Sequence, residues 1–271
     1  MGTGTKNPAL RRLDKLLVER GLAPSREVAR DMIQSGAVEV SGFPQSKPAS
    51  MFPADASVSV SAGGERWVSR GAYKLIKGLD EFGVDPAGLS CVDIGASTGG
   101  FTQVLLSRGA LRVAAVDVGY GQLAWVLRND PRVLLLERTN ARYIKTADIG
   151  WQADILTVDA SFISLRLLLP SMKGLLSEKG RIIALVKPQF EVGRERVGKG
   201  VVRGAAIHVE VLRGVADFAS EAGLSVVGAS YSPIRGPEGN IEFIFLLGEP
   251  GEAPSSPIDF ESLVSEAHEK L

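Results

Sequence analysis

The chain has 271 residues, 45% of them hydrophobic and 23% charged, proportions of a folded globular protein long enough for more than one core. Thirty-one basic residues balance thirty-one acidic ones, the single cysteine (Cys91) excludes a disulfide framework or a thiolate metal site, and two histidines (His208, His268) leave few metal ligands. No apolar run reaches the roughly eighteen residues of a membrane span, and Met1 to Pro8 lacks the apolar core of a secretory signal, so a cytoplasmic setting with no membrane partner and no metal is expected.

Leu10, Leu13, Leu16, Leu17 and Val18 recur at helical spacing and Gly21 reads as a C-terminal cap, which predicts a first helix starting at Leu10. Ser25 is placed to cap a second helix, Arg26 to Gln34, with Val28, Ala29, Met32 and Ile33 as its apolar face and Gly36 as its stop. Strands are predicted at Ala37–Val40 and Ser57–Val60, with a turn at Ser41-Gly42 and a flexible joint at Ser61-Ala-Gly-Gly64. From Gly71 the pattern changes: an amphipathic helix, Ala72–Phe82, precedes alternating strands and helices. The strands fall at Cys91–Ile94, Val113–Val118, Val133–Leu136, Ile155–Val158, Arg181–Val186, Ser225–Ser230 and Ile241–Leu247. Helices fall near Thr102–Arg108, Leu123–Asn129, Leu165–Leu176 and Ile207–Ala222. Continuous apolar strands separated by helices predict an α/β fold with a seven-stranded, mostly parallel sheet, doubly covered and Rossmann-like. A Pro/Ser/Gly-rich linker then leads into a short acidic helix. The expected divisions are 1–62, a linker at 63–70, 71–248, and an acidic tail at 249–271.

The zero net charge is a sum of opposed ends. Residues 1–78 hold twelve basic and seven acidic side chains, net +5, whereas residues 249–271 hold six acidic and one basic, net −5. Arg11, Arg12, Lys15, Arg26 and Arg30 lie off the apolar stripes of the two first helices, as either a solvated face or a contact face for a polyanion.

The run Val92-Asp-Ile-Gly-Ala-Ser-Thr-Gly-Gly-Phe101 joins the first strand of the sheet to its helix. Gly95, Gly99 and Gly100, with Ala96, Ser97, Thr98 and Phe101 between and after them, allow backbone to approach a ligand closely. The spacing is not that of dinucleotide loops, and the loop lacks a cation for phosphate. Asp93 offers a negative charge suited to a cationic ligand, Asp117 ends the next strand where an acid accepts ribose hydroxyls, and Asn140 follows the third strand where it can address an adenine edge. Together they predict an S-adenosylmethionine site.

The acceptor is narrowed by what is missing. The run Thr157-Val-Asp-Ala-Ser-Phe-Ile-Ser164 is not the Asn/Asp-Pro-Pro-aromatic run common in exocyclic-nitrogen methylation, and carbon methylation of pyrimidines needs a nucleophilic cysteine, for which Cys91 sits in a buried strand. A hydroxyl acceptor is the simplest remaining option, and a hydroxyl must lose its proton as the methyl arrives. Lys187 ends the fifth strand in Ala184-Leu-Val-Lys-Pro-Gln-Phe-Glu191, at the sheet edge where ligands bind. Desolvation and a second cation, for which Lys74 is placed, favour its neutral amine.

The first segment, from Arg12-Leu-Asp-Lys-Leu-Leu-Val-Glu-Arg-Gly21 through Ile33-Gln-Ser-Gly-Ala-Val-Glu-Val-Ser-Gly42, resembles the alpha-L RNA-binding motif of a small-subunit ribosomal protein and many pseudouridine synthases, over about sixty residues. It implies a small α+β RNA-binding domain that meets phosphates through Arg11, Arg12, Lys15, Arg26 and Arg30. The rest resembles the FtsJ-like ribose methyltransferases, most closely the TlyA (hemolysin-like) ribosomal RNA methyltransferases. The family's Lys-Asp-Lys-Glu tetrad carries over onto Lys74 in Ser-Arg-Gly-Ala-Tyr-Lys-Leu, Asp159 in Val-Asp-Ala-Ser-Phe, Lys187 in Val-Lys-Pro-Gln-Phe-Glu, and Glu242 in Gly-Asn-Ile-Glu-Phe. The resemblance implies methyl transfer from S-adenosylmethionine to a ribose 2′-hydroxyl, at a cytidine of ribosomal RNA or ribosomal subunits. In it, Lys187 takes the proton or orients the hydroxyl while water takes it, Asp159 holds that lysine near the sulfonium, Lys74 is the second cation and Glu242 holds Lys74. Arg194, Arg196, Lys199 and Arg203 form either a phosphate clamp or a solvated loop, and His208 reads as structural. Two rivals are a ribosome-assembly factor that holds S-adenosylmethionine without catalysis, and a haemolysin.

Overall fold

Alternating apolar strands and amphipathic helices beyond residue 71 close into one seven-stranded sheet in a computed structural model of the chain. The structure describes residues 10–34, 37–41, 43–45, 47–60, 67–193, 196–197 and 200–271. The predicted stop at Gly36, turn at Gly42 and joint at Ser61–Gly64 lie outside the described residues. The chain divides into two units, residues 1–68 and 69–271.

The first unit holds β1 (Leu10–Arg12), α1 (Leu13–Glu19), α2 (Arg26–Gln34), β2 (Val38–Val40), β3 (Phe43–Gln45), β4 (Met51–Pro53) and β5 (Val58–Val60). Leu13, Leu17, Ala29, Ile33, Val38 and Val40 form its core, and each fully buried Leu, Ile or Val contributes roughly 1.5–3 kcal/mol. The Ser25 hydroxyl accepts from the Val28 N–H at 3.2 Å, capping α2. The start of the first helix differs from expectation. Leu10 to Arg12 is extended and pairs antiparallel with β4, Leu10 opposite Pro53 and Arg12 opposite Met51. Leu10 fits the helical spacing but stays exposed, and strand pairing decides its conformation instead.

The second unit begins with α3 (Ala72–Phe82), followed by β6 (Ser90–Ile94), α4 (Gly100–Ser107), β7 (Arg112–Val116), α5 (Trp125–Arg128), β8 (Val133–Leu136), α6 (Thr146–Ile149), β9 (Ala153–Val158), α7 (Leu169–Leu175) and β10 (Leu176–Val186). It ends with α8 (Pro188–Glu191), α9 (Ala205–Glu221), β11 (Ser225–Tyr231), β12 (Phe243–Gly248) and α10 (Phe260–Lys270). The sheet order is β11-β12-β10-β9-β6-β7-β8, with β10, β9, β6, β7 and β8 parallel and β12 antiparallel to both β10 and β11. From β6 the chain moves outward through β7 and β8, then returns to place β9 on the other side of β6. The carboxyl ends of β6 and β9 therefore form a topological switch point, where open α/β sheets bind ligands. Because β12 runs the opposite way, its beginning lies at this same edge, and Glu242 immediately precedes it.

The acidic segment after residue 248 belongs to the second unit rather than lying outside it. α10 packs on α9 and β11, with Val264 and Ala267 buried in the main core and Phe260 and Leu263 against it. Asp259 caps the helix by accepting from the N–H groups of Glu261 and Ser262. The apolar spacing of α10 outweighs its charge.

Candidate active site

The loops that leave the parallel strands at the switch point supply most of the site. After β6, Gly95 adopts φ +81°, and a Cβ there would stand 2.8 Å from the Asp159 carbonyl oxygen, so only glycine fits. Ser97 also has a positive φ, +49°. Its N–H donates to Asp117 Oδ2 at 2.8 Å while the Gly119 N–H donates to Oδ1 at 2.7 Å, which fixes the carboxylate at the end of β7. Asn140, after β8, accepts from the Arg142 N–H through its amide oxygen at 3.1 Å, leaving its NH₂ for a ligand acceptor.

Asp117 and Asn140 line a cavity of about 360 Å³ whose apolar walls include Val116, Val118, Ile163 and Leu168. A second cavity of about 470 Å³ shares Gly95, Ser97, Asp159 and Ser161 with the first and adds Ala96, Thr98, Gly100, Phe101, Lys74 and Lys187. The two form one cleft with chemically different ends. A fixed acid for a diol, an amide for a base edge, apolar walls for a ring, and the N-terminus of α4 for a carboxylate match the parts of S-adenosylmethionine. Gly99 caps α4 (φ +98°) without lining either cavity.

Asp93 is placed differently from its expected role. It is wholly buried beneath the loop, accepting from the Thr102 hydroxyl at 2.7 Å and the Thr157 hydroxyl at 3.0 Å, and it lines neither cavity. Burial without a cation raises its carboxyl to about 6, against the opposing effect of the two hydroxyls. It ties the end of β6 to α4 and β9, and it acts on a ligand through the loop it supports.

Four charged side chains from distant positions meet at the end of the cleft formed by the second cavity. Lys74 Nζ, on α3, lies 2.5 Å from Glu242 Oε2 and 3.9 Å from Asp159 Oδ2. Lys187 Nζ lies 2.5 Å from Asp159 Oδ1 and donates to the Ser161 hydroxyl at 3.0 Å. The result is an alternating line, Glu242–Lys74–Asp159–Lys187, with Lys74, Lys187 and Glu242 buried. A Cβ on Gly236 would collide with the Glu242 carboxylate, so glycine is what lets that loop cover it. Glu242 sits behind Lys74 and lines neither cavity; Lys74, Asp159 and Lys187 do.

Several residues in the site were not singled out from sequence. Ser161 holds Lys187, and Arg70 and Arg235 line the open cavity. Phe162 stands 91% exposed at φ +64° and lines the first cavity, with its ring 5.3 Å from that of Phe190. An exposed phenylalanine in a conformation that L-residues seldom adopt is held there by its surroundings. The signal for it was the aromatic directly after Ser161 in the run Asp159-Ala-Ser-Phe162, where polarity was expected of a loop.

The remaining candidates have structural partners. Cys91 is buried and its thiol is pushed up to about 12 by burial, which removes it as a nucleophile. His208 is buried, with Nδ1 3.0 Å from His268 Nε2 and Nε2 3.1 Å from the Val202 carbonyl. Arg196 pairs with Glu210, Arg203 is exposed, and Arg194 and Lys199 lie outside the described residues. In the first unit, Arg12, Arg26 and Arg30 converge on the buried Asp14 at 3.0, 3.0 and 3.4 Å. The Arg12 hydrogen bond, with that of Arg26, holds the Asp14 carboxyl well below the usual carboxylate range against the effect of burial. These three arginines therefore have a packing role, although three cations on one anion leave excess positive charge. Arg11 makes only a 3.9 Å contact with Glu19, and Lys15 is exposed. Among the described residues no helix is long and apolar enough to cross a membrane, and no group of three or more His, Cys, Asp or Glu side chains could hold a metal ion.

Comparison with known proteins agrees with this geometry. Residues 67–249 match the FtsJ-like methyltransferase family model and residues 11–52 match the S4 domain model. The chain is 50% identical over 238 residues to the 16S/23S rRNA (cytidine-2′-O)-methyltransferase TlyA of Mycobacterium tuberculosis, covering 87% of this chain and 89% of that one. It is 46% identical over 266 residues to a candidate rRNA methyltransferase of Bacillus subtilis, covering 96% and 95%. A solved structure of a candidate hemolysin from Streptococcus thermophilus superposes with TM-score 0.76 at 40% identity, covering 98% of each chain. With an S4 domain ahead of a switch-point cleft and its four alternating charges, the chain belongs to the TlyA family of FtsJ-like methyltransferases.

Proposed function

We propose that this protein transfers a methyl group from S-adenosylmethionine to the 2′-hydroxyl of a cytidine in ribosomal RNA. The observation that carries this reading is the alternating line Glu242–Lys74–Asp159–Lys187 at one end of a cleft whose other end fits a nucleoside. The cytidine 2′-O specificity and the 16S/23S rRNA substrate named for the Mycobacterium tuberculosis relative support the same substrate class.

S-adenosylmethionine supplies a methyl group already activated by a sulfonium. Asp117 would hold the ribose diol, Asn140 the adenine edge, and the amides at the start of α4 the carboxylate. Phe162, exposed beside Ser161, offers the acceptor base a ring to stack on, a contact that every base tolerates and that is worth about 1–3 kcal/mol. Lys187, held by Asp159, would donate to the 2′-oxygen and turn one of its lone pairs toward the methyl carbon, so that the new O–C bond forms as the S–C bond breaks and the thioether leaves. Of the two roles open to it, orienting is the one that this pairing supports, and the hydroxyl proton passes to water. Lys74 fixes the other face of Asp159, and Glu242 neutralises Lys74. The S4 unit adds RNA contacts, and a cytoplasmic location follows from the substrate.

The test is transfer of tritiated methyl to ribosomal subunits or ribosomal RNA, with the product mapped by alkali. The wild-type protein produces an alkali-resistant linkage, and Lys187→Ala lowers the rate on the order of 10²-fold through lost positioning. A modified nucleotide whose linkage still cleaves in alkali would exclude the 2′ position. Cofactor binding with no transfer to any ribosomal RNA would favour the assembly-factor reading.

A further inference from the structure

Among the described residues, one buried carboxylate beside the cleft that this chemistry leaves unused is Glu191, the last residue of α8. Its side chain is 2% exposed, and it reaches back from the strand β10 side to the loop that leaves β9. Its two oxygens accept from the Ser164 hydroxyl and the Leu165 N–H, both at 2.7 Å, and Arg166 Nε lies 4.0 Å away. Burial raises its carboxyl, while Ser164, Leu165 and Arg166 favour the charged form. Ser164 in turn caps the short helical turn Leu165–Leu167 by accepting from the Arg166 N–H.

The two segments, 159–165 and 187–191, follow adjacent parallel strands and are fastened at three levels. Lys187 binds Asp159 and Ser161 at the front, the Phe190 ring meets Phe162 in the middle, and Glu191 binds Ser164 and Leu165 at the back. The middle level includes the one residue of this loop with a left-handed backbone, Phe162 at φ +64°. A conformation of that kind costs on the order of 1–3 kcal/mol and persists only where its neighbours impose it. Phe162 is itself 91% exposed, so most of that restraint must come from the residues that flank it. Glu191 supplies it on the carboxyl side through the two hydrogen bonds that its oxygens accept from Ser164 and Leu165.

We infer that Glu191 is a positioning residue for methyl transfer: by anchoring Ser164 and Leu165 it fixes the loop that presents Ser161 and Phe162 beside Lys187. The inference rests on the ribose-methylation reading for its effect on rate, and on geometry alone for its effect on the loop.

The experiment uses the full chain with Glu191→Ala, Glu191→Gln and Ser164→Ala. Amide hydrogen exchange across residues 160–165 is measured beside steady-state transfer to ribosomal subunits and calorimetric S-adenosylmethionine affinity. Glu191→Ala is expected to speed exchange in 160–165 by tenfold or more, with residues 90–94 of β6 unchanged, and to lower kcat about tenfold with cofactor affinity changed less than threefold. Glu191→Gln keeps an acceptor oxygen and is expected to recover most of kcat. Unchanged exchange in 160–165, or wild-type kcat in a folded Glu191→Ala, overturns the inference. If Glu191→Ala does not fold, Ser164→Ala decides: faster exchange in 160–165 supports the inference and unchanged exchange overturns it. Absence of methyl transfer by the wild-type protein would defeat the reaction reading by itself, with the exchange arm still deciding whether Glu191 fastens the loop.

Discussion

The side chains that line or support the cleft divide into those whose chemistry marks them and those whose conformation does. Lys74, Asp159, Lys187 and Glu242 are of the first kind: charged residues in apolar runs, which burial makes costly unless they are paired. Phe162 is of the second, an ordinary phenylalanine in the sequence that becomes informative once its exposure and φ of +64° are known. If its ring carries the acceptor base, Phe162→Ala lowers kcat/KM for ribosomal subunits roughly 5–150-fold, the span of one base–aromatic stack. Phe162→Trp then retains activity while Phe162→Leu does not, and single-turnover transfer rates for the three variants check it. Equal rates for the Leu and Trp variants would reduce the ring to a space filler. Asp93 shows the reverse error: an acid in a ligand loop suggests a ligand contact, yet with no cation beside it and two hydroxyls to bind, the interior is its place.

Among the elements, the strands of the sheet and α3, α4 and α9 were legible because their apolar runs agree with their burial, and Val133–Leu136 and Ala72–Phe82 coincide with expectation residue for residue. The three-residue strands β3 and β4 carry too few residues for a period of two to register, and each includes a proline. The one-turn helices α6 and α8 are likewise too short for helical periodicity. α10 was expected as a short acidic helix in a charged tail, but not as part of the core, because the pair His208–His268 that helps to dock it spans sixty positions. Burial lowers His208 from 6.5 to about 4, with repulsion from His268 adding to this and the Val202 carbonyl opposing it. Its neutral form is the docked one. The stability it lends is therefore complete above pH 6.5 and lost progressively as pH falls toward 4, the loss amounting to about 2 kcal/mol at pH 5. Hydrogen exchange in 260–270 is expected to quicken between pH 7 and pH 5 after correction for intrinsic rates, and His208→Gln is expected to remove that dependence. Asp93 works in the opposite direction, since a carboxyl raised to about 6 stabilises the fold at low pH and loses that contribution as pH rises through 6. A global melting curve sums the two, so the local measurement is the decisive one.

For the whole molecule, the split of charge between the ends is only partly a statement about surfaces. The acids of the C-terminal segment are largely engaged within their own unit, Glu252 with Arg181, Glu261 with Arg213, and Glu266 with Lys270 and Tyr231. The positive excess of the first unit is divided too, between arginines gathered on Asp14 and the exposed Lys15. Two substitutions separate these uses. Lys15→Gln is expected to weaken RNA binding and to reduce the slope of log affinity against log salt by about one, with thermal stability unchanged. Arg26→Gln removes a partner of a buried carboxylate and is expected to lower the melting temperature of the first unit as well. Salt titrations of RNA affinity beside calorimetric melting distinguish the two, and identical behaviour of both variants would refute the division. The alternating line in the cleft carries a last consequence, for how such a sequence can change over time. Lys74 and Glu242 stand 168 positions apart, yet Glu242 is neutralised by Lys74, and Lys74 otherwise reaches Asp159 at 3.9 Å, so losing one alone leaves a poorly compensated buried charge while losing both together removes the cost of burying the pair. Related chains should then fall into two groups, with both residues or with neither, and the second group would mark where a methyltransferase has become a protein that only holds its ligand.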